Sequence, residues 1–343
     1  MSSIVEASPI NERVSVDGCL RILVTGGSGF IGTNLIEFYS NKSGISLLNL
    51  DIISPRNVAH EKFFANVDLR DEDALENAIL KFRPQWVFHL GARTDLEGRS
   101  LQDYAANTTG VLNLISVLKK LEVPPMRVLF ASSRLVCKIG YSPVDEFDVC
   151  PTTYYGESKA LGEKLVRDNV NNAFEWIIFR PTSIWGPWFA VPYRTFFDAI
   201  QHRRYVHPRG KKIYKSFGFV GNAIFQLDCL INIAANEALT KTVYLCDYEP
   251  VEVFDWANRI ARKFGCAPPV SIPLLALKLV ARLGDVYQWS SGRPAPLTTF
   301  RLENLVTDMI HENSVVSKLV GPLPFSLDES VSLTCDWMKS HVI

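Results

Sequence analysis

Residues 20–24 form a short apolar run interrupted only by Arg21, and from Phe30 the apolar positions switch to a spacing of three and four (Phe30, Ile31, Leu35, Ile36, Tyr39). The first pattern predicts a buried strand and the second an amphipathic helix. The same alternation continues along the chain. It predicts strands over 46–50, 61–67, 86–90, 127–131 and 176–179. Between them it predicts helices over 71–82, 101–121 and 153–169, the long middle one stopped by Val123-Pro124-Pro125. Strands alternating with helices predict an α/β fold built on a doubly wound, Rossmann-type parallel sheet. Sites in such sheets lie beyond the carboxyl ends of the strands, which directs attention to the residues after Leu90, Ala131 and Phe179.

From Pro181 the texture changes. Aromatic residues crowd together (Trp185, Trp188, Tyr193, Phe196, Phe197), and a basic stretch follows over 202–215. This divides the chain into a loose tail at 1–19, a nucleotide-binding domain at 20–180 and a smaller substrate lobe at 181–343. A strand over 242–246 and a helix over 251–264 are expected to return to the main sheet. The most apolar window, 272–283, carries Lys278 and Arg282 and is too short to span a bilayer. It reads as an amphipathic helix packed on the small lobe, with contact at a membrane surface as the lesser alternative.

The first strand breaks into Gly26, Gly29 and Gly32, and a second strand ends in Asp51, nineteen residues after Gly32. Glycines at this spacing give a tight turn, close backbone approach to a pyrophosphate and close packing of helix on strand. The helix N-terminus then points free N–H groups at the phosphates. An acid at the end of the second strand accepts ribose hydroxyls and repels a 2′-phosphate, which favours NAD over NADP. Arg56, five residues on, is the one cation near enough in sequence to oppose that preference.

Charge narrows the partners. Lys+Arg and Asp+Glu both number 36 in 343 residues, so no global field draws the chain to nucleic acid. The seven cysteines include no C-x-x-C pair and read as free thiols of a reducing cytoplasm. His202 and His207 fit no zinc spacing, and no metal is expected.

The strongest chemical signal is Tyr155-Gly156-Glu157-Ser158-Lys159. Its tyrosine and lysine stand one helical turn apart on one face. A neighbouring ammonium lowers a phenol's pKa toward the range of a proton shuttle. Ser132 and Ser133 follow the strand over 127–131, where a hydroxyl can orient a reacting oxygen. Alone, each feature equally suits a surface helix pair and a loop serine.

In combination these motifs resemble the extended, nucleotide-sugar-modifying branch of the short-chain dehydrogenase/reductase superfamily, over about residues 20–230. Thr25 to Gly32, with Phe30 and Ile31, matches its fingerprint, and Asp51 its ribose acid. Asp68-Leu69 matches the pair that meets the adenine, His89-Leu90-Gly91-Ala92 the turn beneath the cofactor, and Asn107 the N-x-x-G of the long helix. Ser133, Tyr155 and Lys159 match the catalytic triad, and Pro181 begins the segment that closes over nicotinamide and substrate. The resemblance implies a cytoplasmic, NAD-dependent epimerase acting on a nucleotide-activated sugar at C4, paired as a homodimer through the helices over 101–121 and 153–169. A 4-ketosugar reductase, a sterol-type alcohol dehydrogenase and a non-catalytic NAD-bound scaffold are the rival readings. Substrate contacts implied by position are Ser183, Lys215 and Arg293. The Asp-Glu pair that dehydratases carry after the catalytic Thr is replaced here by Arg134 and Leu135, which argues against 4,6-dehydration.

Overall fold

The computed structural model describes residues 18–191, 193–233, 242–293, 295 and 297–341. The expected tail therefore lies, up to residue 17, outside the described residues. Apolar segments with both faces covered form the first half: β1 (Leu20–Thr25), α1 (Phe30–Ser40), β2 (Ile45–Asp51), β3 (Phe64–Asn66), α2 (Glu72–Phe82) and β4 (Trp86–His89). After α3 (Thr109–Lys119) come β5 (Arg127–Ala131), α4 (Tyr154–Val170), β6 (Glu175–Pro181) and β7 (Ser183–Trp185). The lobe adds α5 (Tyr193–Gln201), β8 (Val206–Arg209), β9 (Tyr214–Lys215), β10 (Phe217–Phe219) and α6 (Val220–Asn232). Then follow β11 (Thr242–Leu245), β12 (Val251–Glu252), α7 (Val253–Phe264), β13 (Val270–Pro273) and α8 (Leu274–Ser291). Helices α9 (Thr299–Val306), α10 (Ser314–Val320) and α11 (Leu327–Ser340) complete the described chain.

Seven strands pair in parallel in the order β11-β6-β5-β4-β1-β2-β3, a doubly wound Rossmann-type sheet. One face carries Leu75, Leu114, Ile115 and Val166 from α2, α3 and α4. The other carries Leu35, Ile36, Ala223 and Leu227 from α1 and α6, and this core runs on without a break to Trp185 and Trp256 in the lobe. The boundary expected at residue 180 is therefore too early for the sheet, because α6 packs on α1 and β5 while β11 pairs with β6. The helix expected over 251–264 does not join the sheet. Its Trp256 stacks on Phe196 instead, so α7 belongs to the lobe.

Two expected elements are altered. The long helix over 101–121 is broken: a 3₁₀ segment covers Leu101–Asn107, and Thr108, with φ −124° and ψ −70°, separates it from α3. The strand expected over 61–67 keeps only Phe64–Asn66, since Val58–Phe63 forms another 3₁₀ segment capped by the Asn57 side chain. On the helices expected to pair in a homodimer, Ile115 is buried against the sheet, while Leu112 is exposed.

Candidate functional site

β1 delivers the chain into Gly26, whose φ of +72° lies in the left-handed region that side chains disfavour. A Cβ at Gly26 would stand 2.5 Å from the Gly91 nitrogen, and one at Gly32 would stand 2.4 Å from the Gly26 carbonyl oxygen. Gly29 precedes α1 and bonds its N–H to that carbonyl at 3.1 Å. The turn thus leaves a bare backbone cradle at the start of a helix, the shape and polarity that suit a pyrophosphate. Beside it, at the end of β2, the Asp51 carboxylate accepts N–H bonds from Ser28 (3.0 Å), Ile52 (2.7 Å) and Ile53 (3.2 Å). Those bonds fix the acid at the mouth of the glycine turn. Arg56 donates to the Trp188 carbonyl at 2.8 Å, so it is occupied by the lobe.

A single cleft of about 810 Å³ runs from this turn across the ends of β2, β4 and β5 to β6. It is lined by Gly26, Gly29, Phe30, Ile31, Gly32, Asp51, Asp68, Leu69, Leu90, Ala92, Ser133, Tyr155, Lys159 and Pro181. Asp68 is held by Arg70 through a forked contact, and those hydrogen bonds keep its carboxyl below the usual range. Beneath the cleft, His89 Nδ1 meets Thr25 Oγ1 at 2.8 Å. Burial, aided by the Lys159 charge, pushes this imidazole down to about 3, so it is neutral at pH 7.

The reactive end is built from α4 and the end of β5. Thr153 caps α4, its side chain accepting from the Gly156 N–H, and so sets Tyr155 in the first turn. Ser133 accepts the Leu135 N–H at 3.1 Å and stands near enough to the Tyr155 hydroxyl to oppose the rise in its pKa. Lys159 Nζ donates to the Ala131 carbonyl at 2.8 Å, and burial pushes it down to about 8 against the pull of Glu163. The lowered phenol expected from sequence is not found. Burial raises the Tyr155 pKa, and the groups opposing it are Ser133 and Arg134. Lys159 has turned toward the Ala131 carbonyl, so its charge is not spent on the phenol.

The two adjacent serines divide. Ser132 Oγ donates to Glu163 at 2.5 Å, and Glu163 holds Arg180 through two bonds of 2.8 Å. Ser132 is therefore committed to a buried network, and Ser133 is the one that faces Tyr155.

Asn107 lies outside the cleft wall. Its Oδ1 accepts the Arg93 N–H at 2.8 Å, while its Nδ2 donates to the Arg93 carbonyl and to Ser158 Oγ, both at 2.9 Å. Ser158 in turn donates to the Tyr155 carbonyl at 2.7 Å. Asn107 thereby ties the loop after β4 to the helix carrying Tyr155 and Lys159. The break at Thr108 puts it at the end of a 3₁₀ segment, from where its side chain reaches both. Sequence reasoning missed Tyr104, whose ring centroid lies 6.1 Å from that of Tyr155 and whose hydroxyl donates to the Asp95 carbonyl. No motif flags it, since the contact depends on the 3₁₀ turn.

The three substrate contacts expected from position are not brought into the cleft lining. Ser183 is buried behind Tyr193, which does line the cleft. Lys215 is buried with its ammonium on the carbonyls of Asn304 (2.7 Å) and Thr307 (2.6 Å). Arg293 is exposed beyond the end of α8. Arg134 stands closer to the chemistry, its charge favouring the ionised forms of both Tyr155 and Tyr193, and no ion pair to it occurs among the described residues. Among those residues there is also no cluster of side chains suited to a metal.

The chain is similar to known proteins. A relative from Methanocaldococcus jannaschii, with UDP-glucose 4-epimerase in its name, is 30% identical over 174 residues, so the chain spans 56% of its length and matches with 48% of its own. The N-acetyl-alpha-D-glucosaminyl-diphospho-ditrans,octacis-undecaprenol 4-epimerase of Escherichia coli O157:H7 is 28% identical over 330 residues, 94% of this chain and 96% of that one. The UDP-glucose 4-epimerase of Thermotoga maritima, solved with UDP-glucose, superposes with a TM-score of 0.72 at 19% identity, over 94% of this chain and 99% of that one, and so shares the fold. The model of the NAD dependent epimerase/dehydratase family matches residues 22–205, and this chain belongs to that family.

Proposed function

We propose that the protein interconverts C4 epimers of a nucleotide-activated sugar, using NAD that it keeps between turnovers. The observation carrying this reading is that Ser133, Tyr155 and Lys159 line the same cleft as the glycine turn and Asp51. The bare cradle at Gly26 and Gly32 fits the pyrophosphate of NAD, and Asp51 fits its ribose hydroxyls. When bound, NAD supplies reversible hydride acceptance. The chain's own residues supply the proton transfer. Ser133 orients the sugar hydroxyl; Lys159, freed from the Ala131 carbonyl, stabilises Tyr155 as phenolate, and that phenolate takes the hydroxyl proton and becomes neutral phenol. The Arg134 charge also favours phenolate.

Dehydration is disfavoured in this reading, because the acids lining the cleft are Asp51, Asp68, Asp95 and Asp103, none of them beside Ser133. The test is incubation with UDP-, dTDP- and GDP-sugars, followed by NMR and by the absorbance of reduced nicotinamide. A C4 stereoisomer forming with no net change in NADH is the expected result. Stoichiometric NADH consumption with a 4-ketosugar makes the protein a reductase instead. Titration of both cofactors accompanies it: NAD binds more tightly than NADP, and the reverse order refutes the role given to Asp51.

A further inference from the structure

Helix α8 is inside out for a helix surrounded by water. Its inner face is narrow: Leu277 and Ala281 pack on Leu302. Gly284 lies so close to the Leu297 carbonyl that any side chain would collide. Its outer face is apolar. Leu275, Leu279, Leu283, Val286 and Trp289 recur every three or four residues, and Leu275 is 71%, Leu283 70% and Trp289 88% exposed. Phe300, in α9, adds another exposed ring.

The charges on this helix are arranged to match. Lys278 and Arg282 are exposed along one edge of the apolar stripe. The helix's one acid, Asp285, is turned inward, accepting the Thr299 N–H at 3.1 Å and the Thr299 hydroxyl. β13, which leads into α8, pairs with β8, and there Arg209 donates to the Ser271 carbonyl. Arg209, Lys211 and Lys212 are all exposed. The basic stretch seen in the sequence over 202–215 is thus set beside the start of this helix.

We propose that α8 docks this protein on an anionic phospholipid surface, its axis in the plane of the interface. An apolar stripe containing Trp and Leu and bordered by Lys and Arg is complementary to acyl chains below and acidic headgroups beside it. No helix among the described residues is long and apolar enough to cross a membrane, so α8 lies on the bilayer. A second copy is the poorer occupant, because pairing two such faces brings Lys278 and Arg282 against their own kind with no outward acid on either helix to balance them.

The inference stands apart from the sugar chemistry, and its test needs no turnover. The purified protein is floated with vesicles of phosphatidylcholine alone and of phosphatidylcholine containing about one third phosphatidylglycerol. The expected result is flotation with the anionic vesicles that weakens with added salt. It should fall about tenfold or more in Leu275→Ser/Leu279→Ser/Leu283→Ser and in Lys278→Glu/Arg282→Glu. Circular dichroism confirms that both variants are folded, and turnover of a water-soluble sugar nucleotide is unchanged in them, since none of these residues lines the cleft. Failure of the wild type to float overturns the proposal. So does a dimer, seen by light scattering, that the triple variant converts to monomer.

Discussion

The two walls of the cleft are built on different terms. The sheet wall is fastened by short polar bonds within itself: Asp51 to three backbone N–H groups, His89 to Thr25, and Asn107 to both Arg93 and Ser158. The lobe wall offers Thr182, Ile184, Phe189 and Tyr193, and the lysine expected to meet a substrate from that side, Lys215, is spent on Asn304 and Thr307. One wall presents a preorganised constellation to a fixed ligand. The other presents a shape. Preorganised groups dictate residue types, whereas a shape can be filled in many ways.

The sharpest way to break this contrast is at Tyr155. Tyr155→Phe removes one oxygen and leaves the glycine turn and Asp51 untouched. Turnover should fall by about 10²–10⁴-fold while NAD binding, read by calorimetry, stays as in the wild type. Near-normal turnover would show that the sheet wall is a binding surface alone.

That difference also explains what could be read in the chain. Gly26, Gly32 and Asp51 were legible because the turn they build admits no other residue type at the glycines and needs an acceptor at the strand end. The strand over 127–131 and the helix over 153–169 were legible from their local patterns. The lobe was not. Lys215 has the charge a diphosphate would want, yet its ammonium is consumed by two carbonyls of a segment some ninety residues away, which no spacing reveals. The 3₁₀ break at Thr108 was hidden as well, since residues 101–121 keep a helical apolar pattern across it.

A smaller effect is expected at Asn107, where the sheet wall is stitched to α4. Asn107→Ala leaves the Arg93 N–H, the Arg93 carbonyl and Ser158 short of a partner, at a cost of about 1–3 kcal/mol in stability. If Asn107 acts by positioning, kcat should drop about tenfold or more while the KM for the sugar changes little. Asn107→Asp, which restores the acceptor for the Arg93 N–H, should recover part of the loss. A stability loss with kcat intact would reduce Asn107 to a structural bond.

The mildest test uses the fact that the two walls hold titratable groups of opposite sign. His89, under the sheet wall, is pushed down to about 3 from an ordinary value of 6.5. Between those values the unfolded chain binds a proton that the folded chain refuses, so stability is lost as pH falls below about 6.5. At pH 5 the loss from this one group is about 2 kcal/mol. Asp247, behind the lobe wall and bonded to Asn222 and the Phe219 N–H, is pushed up by burial to about 7 from 3.8. In that window the folded chain binds the extra proton, so this group adds stability as pH falls. The wild-type profile therefore understates each contribution, and single variants uncover them. Unfolding by urea at pH 7 and pH 5 should show a smaller acid loss in His89→Asn than in the wild type, and a larger one in Asp247→Asn. Equal slopes for wild type and His89→Asn would mean that the imidazole under the cleft takes up its proton in the folded protein, and the sheet wall would then lack the closed, neutral floor described for it.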